Sequence, residues 1–284
     1  MVIKENGLTL IIDSDYLCYR AMLKMQGLSY EHRPTGVIYG FLKQLQVLAK
    51  HFAYPKFIFA WDSSTSYRKK LFPGYKKKDK QDPELEKLLY VSKPQFMALR
   101  INILPLIGFN NNFIQVGVEA DDIIARIIID HWGGLGPIFI VSGDADLYQL
   151  LGPDVSLYDP KTKAIYTEND FVKEKKIKTS QWSWVKAIGG CSSDKIPGIR
   201  GVGEESAIKY LRGENVGKKR KELIENFDPT FNLWLTTLPL HLCRKVDLKE
   251  DTLSLEAFNN VCAKYGLSSL QKKENFLQWV KILN

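Results

Sequence analysis

The sequence contains few of the residues that build disulfide frameworks and zinc sites, and it has no long apolar run. Only four cysteines and four histidines occur in 284 residues, and no two cysteines form a Cys-x-x-Cys pair. Widely spaced cysteines of this kind argue against disulfides and structural zinc and favour a reducing compartment. A transmembrane helix needs about 20 apolar residues, and none is predicted. Met1 leads into a predicted strand and not a signal peptide, so we expect a soluble, cytoplasmic protein with no membrane partner.

Motifs of several enzyme classes are missing as well. The sequence has no Gly-x-Ser-x-Gly nucleophile motif, no Walker A sequence and no Rossmann fingerprint. It does have an excess of positive charge, with 40 Lys and Arg against 32 Asp and Glu, which gives a net charge of +8. Such an excess suits a polyanionic partner. An apolar content of 45% is enough for a large core in one or two domains.

Short apolar runs alternate with helical patterns over the first half of the chain. The runs at 8–12, 57–61, 113–116 and 138–141 are typical of buried strands. Helical patterns follow them, including 36–52 and 84–107, which Pro94 and Pro105 should interrupt. A further helix should bury Leu147, Leu150 and Leu151. This alternation predicts an α/β fold with a mostly parallel sheet flanked by helices.

The second half of the sequence is predicted to be mainly helical. A hairpin over 155–166 is followed by helical patterns at 182–188, 204–211 and 215–227, and the chain then looks helical to its end. The helix at 215–227 is basic, and its run 218–221 is more typical of a solvated face than of a specific contact.

Every predicted strand of the first half runs into acidic residues at its carboxyl end. In parallel sheets these ends meet at one edge, where ligands bind. Carboxylates without histidines suit Mg²⁺, and two such ions could activate water and stabilise the leaving oxygen of a phosphodiester. Each acid could instead cap a helix, which is the role we assign to Asp15, but the convergent set predicts a metal site. Its members are Asp13, Asp62, Glu119, Asp121, Asp122, Asp144, Asp146 and Asp194.

Two further stretches could bind phosphates. The basic run 68–80 follows an acid-ended strand and could grip phosphates beside the metals, with Tyr75 available to stack on a base. A solvated loop is the alternative. The glycine-rich segment 196–203 lies between two helices, where its backbone N–H groups and the N-terminus of the next helix could bind phosphate without reading bases. A plain helix–helix turn is the alternative there.

Three motifs together resemble the 5′-nuclease family of flap endonucleases and 5′→3′ exonucleases. They are VEADD at 118–122, SGDADLYQL at 142–150 and SDKIPGIRGVG at 193–203. The match runs from about residue 8 to 211. Because the sequence has no polymerase region, it resembles the stand-alone phage or bacterial enzymes of this family. The resemblance implies a structure-specific nuclease that cuts DNA 5′ flaps and 5′ ends by a two-metal-ion mechanism.

The resemblance also implies an architecture and a distribution of roles. A PIN-like catalytic domain would span 1–178 with a helical arch at about 68–107, and a helical DNA-binding region with a helix–three-turn–helix element would span 179–284. Magnesium or manganese ions would occupy two sites, and K⁺ could bind backbone carbonyls at 198–203. The first metal would be held by Asp13, Asp62, Glu119 and Asp121. The second would be held or flanked by Asp122, Asp144, Asp146 and Asp194.

The same resemblance assigns the contacts with DNA. Arg68, Tyr75 and Lys76 would engage the scissile phosphate at the base of the arch, as the catalytic side chains. The partner would be branched or 5′-ended duplex DNA, bound by a monomer. The expected DNA contacts are Arg20, Lys69, Lys70, Lys77, Lys78, Lys80, Lys195, Gly198, Arg200, Gly201 and Gly203.

Two departures from the family pattern bear on this hypothesis. Cys191 stands where the family has a second-metal aspartate, and sulfur is a poor Mg²⁺ ligand, so the second site is expected to be weak. Asp79 stands where the arch often has an arginine. Two other functions remain open: a DNA-structure-binding protein with little or no catalysis, and a PIN-type ribonuclease. The glycine-rich turn argues against the ribonuclease.

Overall fold

A six-stranded sheet forms the centre of the computed structural model, which describes residues 7–77 and 82–283. The predicted DNA contacts Lys78 and Lys80, and the altered arch position Asp79, lie outside the described residues. The sheet order is β5-β4-β1-β6-β7-β8, and only β7 and β8 pair antiparallel within it. Two short strands, β2 and β3, form a separate hairpin. The strands are β1 (Thr9–Asp13), β2 (Ser29–Tyr30), β3 (Arg33–Pro34), β4 (Lys56–Ala60), β5 (Asn112–Phe113), β6 (Ile138–Val141), β7 (Val155–Asp159) and β8 (Ala164–Tyr166).

Helices cover both faces of the sheet. They are α1 (Ser14–Lys24), α2 (Gly36–His51), α3 (Tyr67–Leu71), α4 (Pro83–Ala98), α5 (Leu104–Ile107), α6 (Ala120–His131), α7 (Glu168–Lys175), α8 (Trp182–Gly189), α9 (Glu204–Leu211), α10 (Lys218–Glu225), α11 (Thr230–Thr236), α12 (Leu255–Tyr265) and α13 (Lys273–Leu283). A π-helical turn, Leu99–Ile103, joins α4 to α5, and short 3₁₀ segments include Ala145–Leu150.

Strand β1 lies at the middle of the sheet and divides the core into two layers. Successive side chains of a strand point to opposite faces. Leu10 and Ile12 therefore pack with α1, α2, α12 and α13, whereas Ile11 packs with α6 and α8. Both neighbours of β1 run parallel to it, and the chain winds outward in opposite directions from this point. The carboxyl end of β1 is thus the switch point where α/β sheets bind ligands.

Most of the predicted elements are confirmed, and the exceptions have local causes. The strand expected at 113–116 is wrong beyond Phe113, because the chain turns towards Gly117, whose φ is +86°. Pro94 does not interrupt α4, since it lies on the exposed side of that helix. The helix expected to bury Leu147 is a 3₁₀ segment instead.

The helical prediction for the second half is only partly correct. The basic helix expected over 215–227 is limited to α10, and residues 237–254 contain no helix. Helices α12 and α13 pack on α5 and α2, and Phe258 stacks on Trp279 inside the same core layer as Leu10. Across the described ranges, no helix is both long and apolar enough to cross a membrane.

Candidate metal centre

The carboxyl ends of β1 and β6 bring the first two acids of the site together. Asp13 begins α1 as its N-cap and accepts a hydrogen bond from the Tyr16 N–H at 3.1 Å. Its other oxygen accepts the Ser142 hydroxyl at 2.8 Å. The Ser142 hydroxyl oxygen also accepts the backbone N–H of Asp144 at 3.2 Å. This buried serine, which the sequence analysis did not single out, therefore ties the end of β6 to the end of β1.

The acid that follows β4 is held in the same place by two backbone contacts. Asp62 Oδ1 accepts the N–H of Ala120 at 2.8 Å, which fixes it against the start of α6. The backbone N–H of Asp62 is in turn bound by Asp15 Oδ2 at 3.0 Å. The sequence analysis expected Asp15 to cap a helix, but its side chain is buried and supports Asp62 instead. Its spacing on the chain carries no signal of this contact, because Asp62 is 47 residues away.

The pKa values of these carboxyls are raised because they crowd together at one edge of the sheet, where Asp13 and Asp121 are half-buried and Asp62 is exposed. Desolvation by the surrounding chain, followed by the charge of Asp62, raises the pKa of Asp13 to about 7. Desolvation and then the charge of Asp15 raise the pKa of Asp62 to about 6. The pKa of Asp121 lies well above its usual value because of desolvation and then the charges of Asp144 and Asp13. Acids from three strand ends therefore lie close together, and each opposes the ionisation of the others.

The chemistry of this donor set fits divalent cations. Carboxylate oxygens are the ligands that Mg²⁺ and Mn²⁺ prefer, and a cation of charge +2 would relieve the repulsion that raises these pKa values. The residues that could hold it are Asp13, Asp62 and Asp121 of the predicted first-metal set, together with Asp144, which the resemblance placed at the second metal. Glu119, the remaining member of the predicted first set, has its Oε2 bound by Tyr75 and Lys76, and its role as a ligand stays a prediction.

A second group of ligand atoms lies at the start of the glycine-rich segment. One ligand atom each from Asp146, Cys191 and Asp194 lie within 4.8 Å of one another. The Cys191 Sγ donates to the Ser193 hydroxyl or accepts from it at 3.0 Å. Lys186, from α8, places its Nζ 3.5 Å from Asp146 Oδ1. Sequence reasoning missed Lys186, since a lone lysine in a helical pattern carries no sign of its partner.

The predicted role of Asp122 as a ligand or flank of the second metal is contradicted by its hydrogen bonds. This side chain is fully buried, and both of its oxygens are already used. Oδ2 accepts from Arg68 Nη1 at 2.6 Å and from the Glu119 N–H at 3.0 Å. Oδ1 accepts from Arg68 Nη2 at 2.8 Å and from the Leu240 N–H at 2.8 Å. Asp122 is therefore a structural anion beneath the pocket.

The predicted contact between Arg68 and the scissile phosphate is contradicted for the same reason. The guanidinium is 2% exposed, and besides Asp122 it donates to the carbonyls of Leu235 at 2.8 Å and Thr237 at 3.2 Å. These contacts leave it no face for a phosphate. The pair instead joins α3, at the base of the basic run, to α6 and to the segment that follows α11.

Tyr75 and Lys76, farther along the basic run, both form hydrogen bonds with Glu119. The ring of Tyr75 is 2% exposed, so it cannot stack on a base as expected, and its hydroxyl donates to Glu119 Oε2 at 2.9 Å. Lys76 places its Nζ 2.9 Å from the same oxygen and 3.8 Å from Asp194 Oδ1. Its side chain remains 38% exposed at the pocket. Of the three predicted catalytic side chains, only Lys76 is open to a substrate.

The predicted DNA contacts fall into three groups. One group is exposed beside α3 and consists of Lys69, Lys70 and Lys77. Another is exposed on the glycine-rich segment or directly before it and consists of Lys195, Arg200, Gly201 and Gly203. Gly198 packs so closely on the end of α8 that a Cβ would lie 2.3 Å from the Gly189 carbonyl carbon, so it has a packing role. Arg20 donates to Gln44 at 3.2 Å and to the Pro160 carbonyl at 2.9 Å, between α1, α2 and the turn after β7.

Comparison with known proteins agrees with this geometry. The 5′-3′ exonuclease N-terminal resolvase-like domain matches residues 8–177. The chain belongs to the 5′-3′ exonuclease family. A 5′-3′ exonuclease of Bacillus subtilis is 31% identical over 222 residues, which cover 73% of this chain and 71% of that protein. The thermostable DNA polymerase I of Thermus thermophilus is 28% identical over 90% of this chain, which spans only 32% of that polymerase.

Solved structures confirm the predicted fold, a PIN-like α/β sheet flanked by helices. The T5 D15 protein co-crystallised with metal ions has a TM-score of 0.68 at 22% identity, over 98% of this chain and all of that one. The flap endonuclease-1 of Methanococcus jannaschii has a TM-score of 0.61 at 13% identity, over 98% of this chain and 93% of that one.

The crowded acids predict an unusual dependence of stability on pH. Because the pKa of Asp13 is about 7 in the folded chain and 3.8 in the reference state, the folded chain binds more protons between these values. In the cation-free protein, the contribution of Asp13 to the free energy of unfolding should therefore be fully present below pH ~4 and be lost as the pH rises to about 7. Asp13→Asn should raise the free energy of unfolding at pH 8 by about 1 kcal/mol or more. Urea unfolding in EDTA, with the exposed Asp154→Asn as control, measures this. An equal effect of both variants would contradict it.

The buried pair predicts that Arg68 stabilises the fold and does not contact phosphate. Arg68→Met leaves Asp122 charged and unpaired, and the loss should be about 3–5 kcal/mol in urea unfolding. Lys69→Met, on the exposed side of α3, should change stability by less than about 0.5 kcal/mol. The double variant Arg68→Met/Asp122→Leu should recover part of the loss. If Arg68→Met kept full stability yet lost nuclease activity, the phosphate-contacting role would be restored.

Proposed function

We propose that the protein is a metal-dependent nuclease that hydrolyses phosphodiester bonds at DNA 5′ flaps and 5′ ends. One observation carries this proposal: Asp13, Asp62, Asp121 and Asp144 crowd together at the carboxyl edge of the sheet and raise one another's pKa values, with Lys76 open beside them. Membership of the 5′-3′ exonuclease family supports it. The T5 and Methanococcus structures, named as exonuclease and flap endonucleases, support the choice of substrate.

The proposal assigns Mg²⁺ or Mn²⁺ to two positions. Asp13, Asp62 and Asp121 would hold the first with help from Asp144, and Asp146 and Asp194 would hold the second. When bound, such ions activate water and offset the charge that develops on the phosphodiester. Cys191 supplies sulfur and not oxygen to the second position, where Lys186 already offsets part of the charge of Asp146. The second position is therefore the weaker one.

The chain's own residues have separate tasks in this mechanism. Lys76 presents an ammonium at the open side of the pocket, where it would stabilise negative charge on a non-bridging phosphate oxygen. Tyr75 orients Glu119 through its hydroxyl, so that Glu119 in turn positions Lys76. Arg68 and Asp122 hold the start of α6, and with it Asp121, at a fixed height above the sheet.

The division of the chain is also proposed. Residues 1–178 would form the catalytic domain with an arch at 68–107, and the DNA-binding region would begin at 179 with α8, the glycine-rich turn and α9 as the helix–three-turn–helix element. Helices α12 and α13 belong by packing to the core layer of β1, which favours a DNA-binding region that ends before residue 255. A K⁺ ion on backbone carbonyls of 198–203 is part of the same proposal, as is monomeric action on duplex DNA.

Mg²⁺-dependent cleavage of a 5′-flap DNA duplex tests the function. We expect Asp121→Asn to lower the cleavage rate by at least about 10³-fold, since metal ions contribute several kcal/mol to charge stabilisation. Asp154→Asn, on an exposed turn, should cleave at the wild-type rate. Binding of the flap without cleavage by the wild-type protein would favour a non-catalytic DNA-structure binder. Preferred cleavage of the matching RNA would favour a PIN-type ribonuclease.

Because Cys191 offers sulfur at the second position, we expect cleavage by the wild-type protein to need a raised Mg²⁺ concentration. Cys191→Asp would place a carboxylate beside Asp146 and Asp194, so half-maximal cleavage should need several-fold less Mg²⁺. Cys191→Ser, which has similar size and no charge, should leave the midpoint of the Mg²⁺ titration close to that of the wild type. Superimposable titrations for wild type and Cys191→Asp would count against a weakened second position.

A further inference from the structure

The start of α9 carries two glutamates, each of which is paired with lysine. Glu204 and Glu205 occupy its first turn, with side chains 45% and 84% exposed. A helix N-terminus attracts anions, but here the chain supplies the anions itself. Both carboxylates have lysine partners: Glu204 lies 3.7 Å from the Nζ atoms of Lys175 and Lys186, and Glu205 lies 2.8 Å from Lys209 Nζ. The phosphate contact that the sequence analysis expected at this N-terminus stays a prediction.

Positive charge lies on the other side of the same turn. Arg200 on the turn and the first three residues of α10, Lys218, Lys219 and Arg220, line one basin of about 850 Å³. All four side chains belong to exposed residues. The remaining lining is Gly201, Val216, Gly217 and Leu223, so no acid borders the basin among the residues that the structure describes. The next lysine, Lys221, lies within 3.7 Å of Glu225 and outside this lining.

Backbone contacts fix the two walls of the basin to each other. Arg220 donates from Nε to the Gly201 carbonyl at 3.1 Å, which joins the first turn of α10 to the glycine-rich segment. Gly217 precedes α10 with φ of +83°, and its N–H is bound by the Asn215 side chain at 2.8 Å. Val216 beneath is buried. The basin is therefore preformed, so that binding would not need to order a loop.

We propose that this basin, formed by Arg200, Lys218, Lys219 and Arg220, holds the phosphodiester backbone of duplex DNA. The proposal rests on the proposed function only in taking DNA as the partner. Four cations around one basin exceed what a single small anion would need, and they match a repeating polyanion. Lysine and arginine contacts with phosphate position a duplex without reading its sequence. The helix that the sequence analysis read as solvated is thus assigned the duplex contact.

Salt dependence of DNA binding tests the assignment. Fluorescence anisotropy of a labelled hairpin duplex, in EDTA to prevent cleavage, gives the association constant over a series of KCl concentrations. The slope of log K against log [salt] is negative, and each lost phosphate contact lowers its magnitude by about 0.9. Lys218→Ala/Lys219→Ala should therefore lower it by about 1.8. Lys218→Arg/Lys219→Arg, which keeps both charges, should retain the wild-type slope.

A matched pair elsewhere on the surface separates local contact from net charge. Lys272 and Lys273 are adjacent and exposed at the start of α13, and their double alanine variant should leave the slope unchanged. The inference is overturned if the α10 variant keeps the wild-type slope, if the α13 variant lowers its magnitude equally, or if the effect appears with a single strand and not with the duplex. This assay measures binding and not cleavage, so the two proposals can fail separately. A protein that bound DNA through α10 but did not cut it in the cleavage assay would overturn the proposed function and leave this inference standing.

Discussion

Repulsion among crowded carboxylates is the constraint on which the rest of the site depends. Asp13, Asp62 and Asp121 come together at one edge of the sheet from different strand ends, where less water is left to screen their charges from one another. The fold compensates only in part, through the Ser142 hydroxyl and the backbone N–H of Ala120. The remaining imbalance would be relieved by a cation, so the proposed metal binding and the predicted loss of stability at high pH without metal have the same physical origin.

A fully neutralised charge pair, Arg68 and Asp122, lies next to these acids and fixes the geometry around them. Arg68 and Asp122 satisfy one another and four backbone groups, among them the N–H of Glu119 and the carbonyl of Leu235. A buried pair with complete hydrogen bonding adds little net stability, but it fixes geometry, because displacing either partner would leave an unpaired charge. The catalytic sheet, the base of the basic run and the segment after α11 are joined at this point.

How far the sequence predicts this site follows from which interactions are local. Most strand ends and helix patterns, and the position of Asp13 after β1, are set by neighbours in the chain, so most of these predictions are confirmed. Whether a buried carboxylate faces a cation or a guanidinium depends on residues far away, as Asp122 and Arg68 are separated by 54 positions. For that reason the pattern that found the acids could not tell Asp122, a structural anion, from Asp121, which faces the pocket.

The same reasoning applies to the basic stretches, whose sequences do not show which groups they face. A run of positive residues near an acid-ended strand suggests phosphate contacts along its whole length, but Arg68 and Tyr75 turn inward, and Lys76 alone of the three predicted catalytic residues remains open. The run at the start of α10 has no acidic strand beside it in sequence and looked solvated. Folding brings it against the turn at Gly201, on the side away from Glu204. The role of a charged side chain depends on the groups that it faces, and these are determined by the tertiary structure.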